Sequence, residues 1–342
     1  MEPSGSRNRL EARRQETAME KEILLQVENL SVHYATRAGD VSAVDDVSFD
    51  LARGEALGIA GESGCGKTTL ALSLLRLLPE NGRVLRGRVI LGGTDLLPLS
   101  EAALRPFRWR RMAIVFQNAM NSLHPVYRVG DQVCEVLRER EAGLSRREAR
   151  RRAAELLAAA GVERAMLDGY PHEFSGGMRQ RAAIAMALAG DPELLVADEP
   201  TTGLDVIVQA AILREIRALQ ESRGMSMICI SHDLAMLAQV CGRMAVMYAG
   251  RLAELGTSAE LFDRSLHPYT RALQASFPSL RGPRRRLSPI PLEPPSLLRP
   301  PSGCRFHPRC PRAREICAIT VPEWKDYGGG HSAACWNPME DA

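Results

Sequence analysis

Eight consecutive residues, Gly61-Glu-Ser-Gly-Cys-Gly-Lys-Thr68, combine three glycines with a cation and a hydroxyl. Gly61, Gly64 and Gly66 let backbone N–H groups wrap a chain of phosphates at a helix N-terminus, and Ser63, Cys65 and Thr69 belong to the same wrapping segment. Lys67 supplies a point charge, and the hydroxyl of Thr68 suits Mg²⁺. A second constellation stands far downstream, where the apolar run Leu194-Leu-Val-Ala ends in Asp198-Glu199. Asp198 suits the metal side as a strand-end acid. Glu199 is then free to orient and deprotonate an attacking water, because the neighbouring carboxylate is engaged elsewhere. The chemistry is that of a nucleoside triphosphate hydrolysed by water. Tyr34 offers an aromatic face on which a base can stack. Ser175, Gly176 and Gly177 open another helix and form a second N-terminus able to grip an anion.

These residues need a scaffold that presents several loops at one edge. Residues 23–27 and 43–51 read as strands, and residues 56–60 form an apolar strand that runs straight into the glycine-rich loop. Residues 68–78 carry apolar side chains at helical spacing up to Pro79, which supplies the strand, loop and helix context such a loop requires. Residues 145–161 are rich in Arg, Glu, Ala and Leu at helical period, and a further helix opens at Phe174 and runs through Ala189. Short apolar strands at 194–197 and 227–230, separated by a helix over 206–220, alternate as a parallel sheet demands. The expectation is an α/β core with a mostly helical insert at about residues 118–181.

At 342 residues the chain is too long for one ordinary core, so more than one unit is expected. A quarter of the residues are charged and the formal net charge is +3, values of a globular protein with no marked preference for a charged partner. No stretch approaches the roughly 18 uninterrupted apolar residues of a membrane span. Residues 1–21 alternate Arg and Glu, lack the apolar stretch of an export signal and read as a flexible extension. Beyond about Pro278 the composition turns to Pro and Arg, as in an extended linker. The expected organisation is therefore residues 1–21, a main domain over 22–278, and a Pro-rich linker with a cysteine-rich domain over 279–342. One phosphate loop and no internal repeat mean a single nucleotide-binding unit per chain.

The order of phosphate loop, Phe174-Ser-Gly-Gly-Met-Arg-Gln-Arg181 and Asp198-Glu199 resembles that of ATP-binding cassette (ABC) ATPases. Residues Phe116-Gln-Asn-Ala-Met-Asn-Ser-Leu-His-Pro125 and His267-Pro-Tyr-Thr270 narrow the resemblance to the ATP-binding subunits of dipeptide and oligopeptide importers. It covers nearly the whole chain. It implies ATP and Mg²⁺ as ligands, with Gln117 touching the metal and relaying the nucleotide state. His232, in Ser231-His-Asp233, becomes the switch histidine near the γ-phosphate, and Asp205 lies in the loop after Pro200. Ser175, Gly176, Gly177 and Gln180 are implied to bind the nucleotide of an opposing cassette. The implied partners are thus a second, related ATPase subunit, two transmembrane permeases and, indirectly, an extracytoplasmic peptide-binding protein, with the chain on the cytoplasmic face of the membrane. Nickel and glutathione importers share this cassette type. A soluble cassette ATPase of translation or repair, usually built with two cassettes or coiled-coil inserts, is the rival from another class, and no nucleic-acid partner is expected.

Cys65, Cys134, Cys229 and Cys241 sit in apolar or motif contexts where free thiols are common. Cys304, Cys310, Cys317 and Cys335 instead crowd the tail at C-x5-C-x6-C-x17-C spacing, which in a reducing compartment reads as metal binding. The spacing lacks the short pairs usual for structural zinc, and four thiolates suit an iron–sulfur cluster equally well. Spacing alone leaves both open, with His307 or His331 as substitute zinc ligands. The tail pattern Cys304-Arg-Phe-His-Pro-Arg-Cys-Pro311, Cys317 and Cys335-Trp336 resembles that of the peptide-importer subunits, which implies a 4Fe-4S cluster.

Overall fold

The computed structural model describes residues 22–117, 119, 122–276 and 290–339. The extension at 1–21 and most of the Pro/Arg-rich segment, 277–289, lie outside the described residues.

Among these residues the strands form two sheets. β1 (Ile23–Thr36), β2 (Gly39–Ala52), β4 (Gly82–Leu91) and the short β5 (Thr94–Asp95) make an antiparallel sheet in the order β2-β1-β4-β5. The larger sheet runs β11-β12-β10-β9-β3-β8-β7-β6. Its five strands from β9 to β6 are parallel: β3 (Ala56–Ala60), β6 (Met112–Val115), β7 (Leu194–Asp198), β8 (Ser226–Ser231) and β9 (Arg243–Tyr248). β10 (Arg251–Thr257) pairs antiparallel with β9. All five residues of β7 are buried, as expected of a parallel strand covered on both faces.

The tail is not detached from this sheet. β12 (Ser332–Ala334) pairs with β10 through Glu254↔Ala333 and Leu255↔Ser332, and β11 (Trp324–Asp326) extends the edge beyond it. Phe306 is 1% exposed and belongs to the same apolar cluster as Leu195, Cys229 and Tyr269. The helical insert has a separate core in which Val133 and Leu137 of helix Val129–Arg140 meet Ala149, Ala153 and Leu157 of helix Arg146–Ala159. Ala182, Ala185 and Ala189 bring the helix Gly176–Leu188 to the same cluster, and Ile184, Ala187 and Leu188 of that stretch face the main sheet's core. One helix therefore joins the insert to the sheet.

Two boundaries differ from the sequence expectation. β1 and β2 each run 14 residues, β1 well past residue 27 and β2 from well before residue 43, because they pair with each other along their whole length and fold back at Thr36–Gly39. The helix after the phosphate loop spans Lys67–Leu74 and stops before Pro79. Arg76 adopts φ 51°, and Arg108 caps the freed end by donating to the Leu75 carbonyl at 3.2 Å and the Arg76 carbonyl at 2.8 Å.

Candidate functional site

The carboxyl ends of the parallel strands lie side by side, the position where open α/β sheets bind ligands. β3 delivers the glycine-rich loop, β7 ends at Asp198, β8 ends at Ser231 before His232, and β6 ends two residues before Gln117. β8 lies between β3 and β7, so Ala60 pairs with Ser231 and Asp198 with Ile230. Sequence-distant groups thus converge because four strand ends do.

Gly66 caps the following helix with φ 106°, and a Cβ there would stand 2.1 Å from the Ala43 carbonyl oxygen. A Cβ at Gly61 would stand 2.3 Å from the Met247 carbonyl oxygen. Both positions admit only hydrogen. Lys67 is 5% exposed and its Nζ donates to the carbonyls of Gly61 (2.8 Å) and Glu62 (3.0 Å), so the loop folds round the cation. Burial pushes the Cys65 thiol up, keeping it neutral beside that lysine. Tyr34, Val41, Ala43, Ser63, Gly64, Gly66, Lys67, Thr68, Thr69, Gln117, Glu199 and Leu297 line a cleft of about 320 Å³. The Tyr34 hydroxyl donates to Thr69 Oγ1 at 3.3 Å, which holds its ring at the rim.

Asp198 is 1% exposed, and its Oδ1 has no hydrogen-bond partner among the described residues. Burial raises its pKa, with a Thr68 hydrogen bond opposing. A buried carboxylate oxygen without a partner, beside a threonine hydroxyl, fits a divalent cation. Glu199 follows in a left-handed conformation, φ 44°, sparsely populated for such a residue. Its Oε2 accepts from Gln117 Nε2 at 2.8 Å and Thr202 Oγ1 at 2.9 Å, and its Oε1 lies 3.7 Å from His232 Nδ1. His232 lowers the Glu199 pKa to about 2 against the opposing effect of burial, and Thr202 and Lys67 add to the lowering. Reciprocally, Glu199 raises the pKa of His232. The structure thus brings Lys67, Thr68, Gln117, Asp198, Glu199 and His232 together.

The residues implied to bind an opposing cassette's nucleotide stand elsewhere. Ser175 caps the helix Gly176–Leu188 by accepting from Met178 N at 3.3 Å, and neither it nor Gly176, Gly177 or Gln180 lines the cleft round Lys67. Asp205 caps the helix Val206–Arg223, accepting from Val208 N at 3.0 Å. Beside it Val206 and Ile207 are 77% and 82% exposed.

A family model described as "ABC transporter" matches residues 44–202, and one described as "Oligopeptide/dipeptide transporter, C-terminal region" matches residues 253–317. The chain is 44% identical over 321 residues to the oligopeptide transport ATP-binding protein OppD of Salmonella typhimurium, covering 93% of this chain and 95% of that one. It belongs to the ABC transporter ATPases. Among other relatives of this ABC ATPase, the dipeptide transport ATP-binding protein DppD of Bacillus subtilis is 44% identical, covering 93% of this chain and 95% of its own. A probable peptide ABC transporter ATP-binding protein of Sinorhizobium fredii is 47% identical, covering 93% and 96%. In structure the ABC ATPase resembles the dimeric post-hydrolysis cassette MJ0796 bound to ADP and Pi, with a TM-score of 0.63 and 27% identity over 69% of this chain and 99% of that one.

In the tail of this ABC ATPase, the Cys304 amide donates to the Cys317 carbonyl at 2.8 Å, and burial together with the other cysteines raises the thiols of Cys304, Cys310 and Cys335. Among the described residues no three His, Cys, Asp or Glu side chains converge as they would round a single ion. His331 Nε2 lies 2.8 Å from Glu254, which is fully buried, and His307 Nδ1 lies 2.9 Å from the Cys304 carbonyl oxygen. His331 is thus engaged by a buried carboxylate, whereas His307 uses one ring nitrogen only. Sequence reasoning missed Val41, Ala43 and Leu297 in the cleft. Leu297 comes from the Pro-rich segment, held by its carbonyl accepting from Ser42 N at 3.0 Å, and no local pattern announces that pairing.

Proposed function

We propose that this chain is the peripheral ATP-hydrolysing subunit of a membrane importer of dipeptides or oligopeptides, acting on the cytoplasmic face. It would work with a related second ATPase subunit, two transmembrane permeases and, indirectly, an extracytoplasmic peptide-binding protein. The observation that carries the substrate class is the match of residues 253–317 to the oligopeptide/dipeptide transporter C-terminal region, alongside relatives named for peptide transport. No helix among the described residues is long and apolar enough to cross a membrane, which fits a subunit that relies on permeases for the path.

In this reading Lys67 leaves the carbonyls of Gly61 and Glu62 for the phosphates, while the loop amides hold the chain. Thr68, Asp198 and Gln117 would hold Mg²⁺, which when bound neutralises charge on the phosphate oxygens. Glu199 accepts a hydrogen bond from the attacking water. At a pKa of about 2 it is a weak base while His232 lies beside it. Engagement of His232 by the γ-phosphate takes that hydrogen-bond donor away and strengthens Glu199 as a proton acceptor at the moment charge develops. Ser175, Gly176 and Gly177 then complete a partner's site, and the exposed Val206 and Ile207 beside Asp205 suit the face on which two cassettes close.

The tail cysteines are proposed to hold a 4Fe-4S cluster with a structural role. What supports it is the donor set: four cysteines share the tail, and although burial is the larger cause of the raised Cys304 and Cys335 thiols, Cys310 and Cys317 lie near enough to help raise them. A single zinc ion draws four ligands to one point, whereas a cluster spreads its thiolates over four irons.

Affinity purification of the tagged chain from membranes is expected to recover a second cassette ATPase and two multi-spanning proteins. Recovery of ribosomes or nucleic acid in their place would overturn the assignment. Iron, sulfide and zinc analysis of anaerobically purified protein checks the cluster, and stoichiometric zinc without iron refutes it.

A further inference from the structure

The phosphate loop has a side chain that faces away from the nucleotide cleft. Glu62, between Gly61 and Ser63, meets Arg309 of the tail in a two-pronged ion pair, with Arg309 Nη1 to Oε2 at 2.6 Å and Nη2 to Oε1 at 3.0 Å. The Arg309 side chain is 3% exposed. Two more of its five N–H groups are used: Nε donates to the Pro291 carbonyl at 2.8 Å and Nη1 to the Tyr248 hydroxyl at 3.2 Å. A planar guanidinium held by four hydrogen bonds to three different residues has one orientation, and it imposes that orientation on the carboxylate.

Glu62 passes the constraint on. Its backbone N–H donates to the Tyr269 hydroxyl at 2.9 Å, and its carbonyl accepts from Lys67 Nζ at 3.0 Å. Tyr269 in turn packs on Phe306, with ring centroids 5.2 Å apart. The side chain of Glu62 is therefore fixed by the tail, its amide by Tyr269, which itself rests on Phe306 of the tail, and its carbonyl holds the phosphate-binding lysine. A second anchor lies four residues earlier, where Arg305 donates to Asp45 at 2.5 Å and to the Ala249 carbonyl. The next residue, Gly250, donates its N–H to the Cys65 carbonyl at 2.8 Å. Arg305 and Arg309 thus reach both flanks of the phosphate loop from the turn bounded by Cys304 and Cys310.

We propose that Arg309 is a positioning residue of the nucleotide site: through Glu62 it sets the phosphate loop and Lys67, so that ATP affinity depends on the docked tail. This rests on the reading of residues 61–68 as the ATP site. Arg309 touches no substrate, and its loss acts on the loop that does.

The test uses the full-length chain, with affinity read by a fluorescent ATP analogue and turnover by phosphate release from the assembled complex. Arg309→Met is expected to weaken ATP binding about ten-fold, within the usual range for coupled sites, and Arg309→Lys less, because it keeps the charge and loses the fork. KM for ATP rises while kcat at saturating ATP changes less than about two-fold. Glu62→Gln reproduces the affinity loss from the cassette side with the tail untouched, and Glu62→Gln/Arg309→Met is no weaker than the worse single variant. Should Arg309→Met fail to fold, Glu62→Gln and Arg309→Lys decide. Wild-type affinity in Glu62→Gln, or losses that add in the double variant, overturns the proposal. Lys67→Ala separates the two readings. If it abolishes binding while Glu62→Gln binds normally, the clamp alone is wrong, and if it binds normally the ATP site itself is misplaced.

Discussion

Replacing Glu199 by glutamine changes one atom and removes one charge where three groups converge. In the native site Oε2 accepts from Gln117 at 2.8 Å and Thr202 at 2.9 Å, leaving Oε1 toward His232 at 3.7 Å. A glutamine oxygen can keep the first two bonds, which places its NH₂ where Oε1 was. The side chain then presents donors on the edge from which a water would be oriented, and it cannot take a proton. Positioned general bases contribute roughly 10²–10⁴ in rate, so Glu199→Gln is expected to lower kcat by that factor, about 3–5 kcal/mol of barrier. Binding follows different groups, namely Lys67, Thr68 and the loop amides, none of which depends on the Glu199 charge for its place. ATP affinity is therefore expected to stay within about three-fold of the native chain, as the groups that bind the phosphates are all retained. Phosphate release by the assembled complex, run beside equilibrium binding of a fluorescent ATP analogue, reads both quantities. Turnover within about three-fold of the native rate, far below the general-base range, would falsify the role given to Glu199.

Other predictions follow from the same geometry. Gly66→Ala forces a Cβ to 2.1 Å from the Ala43 carbonyl at φ 106°, a backbone contact that cannot yield cheaply, so ATP binding is expected to be lost and the melting temperature lowered in a thermal scan. Ser175→Arg is expected to leave ATP binding to the chain's own loop intact while abolishing hydrolysis and ATP-dependent pairing, measured by light scattering. Retained hydrolysis would contradict a site shared between two cassettes. Burial alone would raise the Asp45 pKa, but Arg251, Arg305 and Arg86 together lower it. Its contribution to stability is full above the ordinary carboxylate range near pH 4 and is lost as pH falls through the lowered value. Asp45→Asn is therefore expected to be less stable than the native chain at pH 7 and to lose less of its melting temperature on acidification from pH 5 to pH 3.

What could be read from the sequence depended on whether the information was consecutive. The phosphate loop, Asp198-Glu199 and the residues from Phe174 to Arg181 each occupy a few adjacent positions, because strand, turn and helix start are local structures with local chemistry. β3, β7 and β8 were legible for a related reason, since strands covered on both faces must be apolar throughout. Where the determinant lay elsewhere in the chain, the sequence was silent. The helix after the loop ends at Leu74, short of Pro79, where Arg76 turns left-handed, the amides of Arg76 and Leu77 take the Ser73 and Leu72 carbonyls, and Arg108, more than thirty residues on, takes those of Leu75 and Arg76. β11 and β12 are three residues each, too short for a period, and exist only because β10 offers an edge. The same reasoning explains the tail. Read locally, Cys304 to Pro311 is a set of thiols with two arginines between them, and attention falls on the thiols. Only the fold reveals that Arg305 and Arg309 point at Asp45 and Glu62, about 260 and 247 residues away in sequence. Arg309, in a cysteine-rich turn, gains its meaning from the partly buried carboxylate it faces, and that carboxylate sits in the phosphate loop.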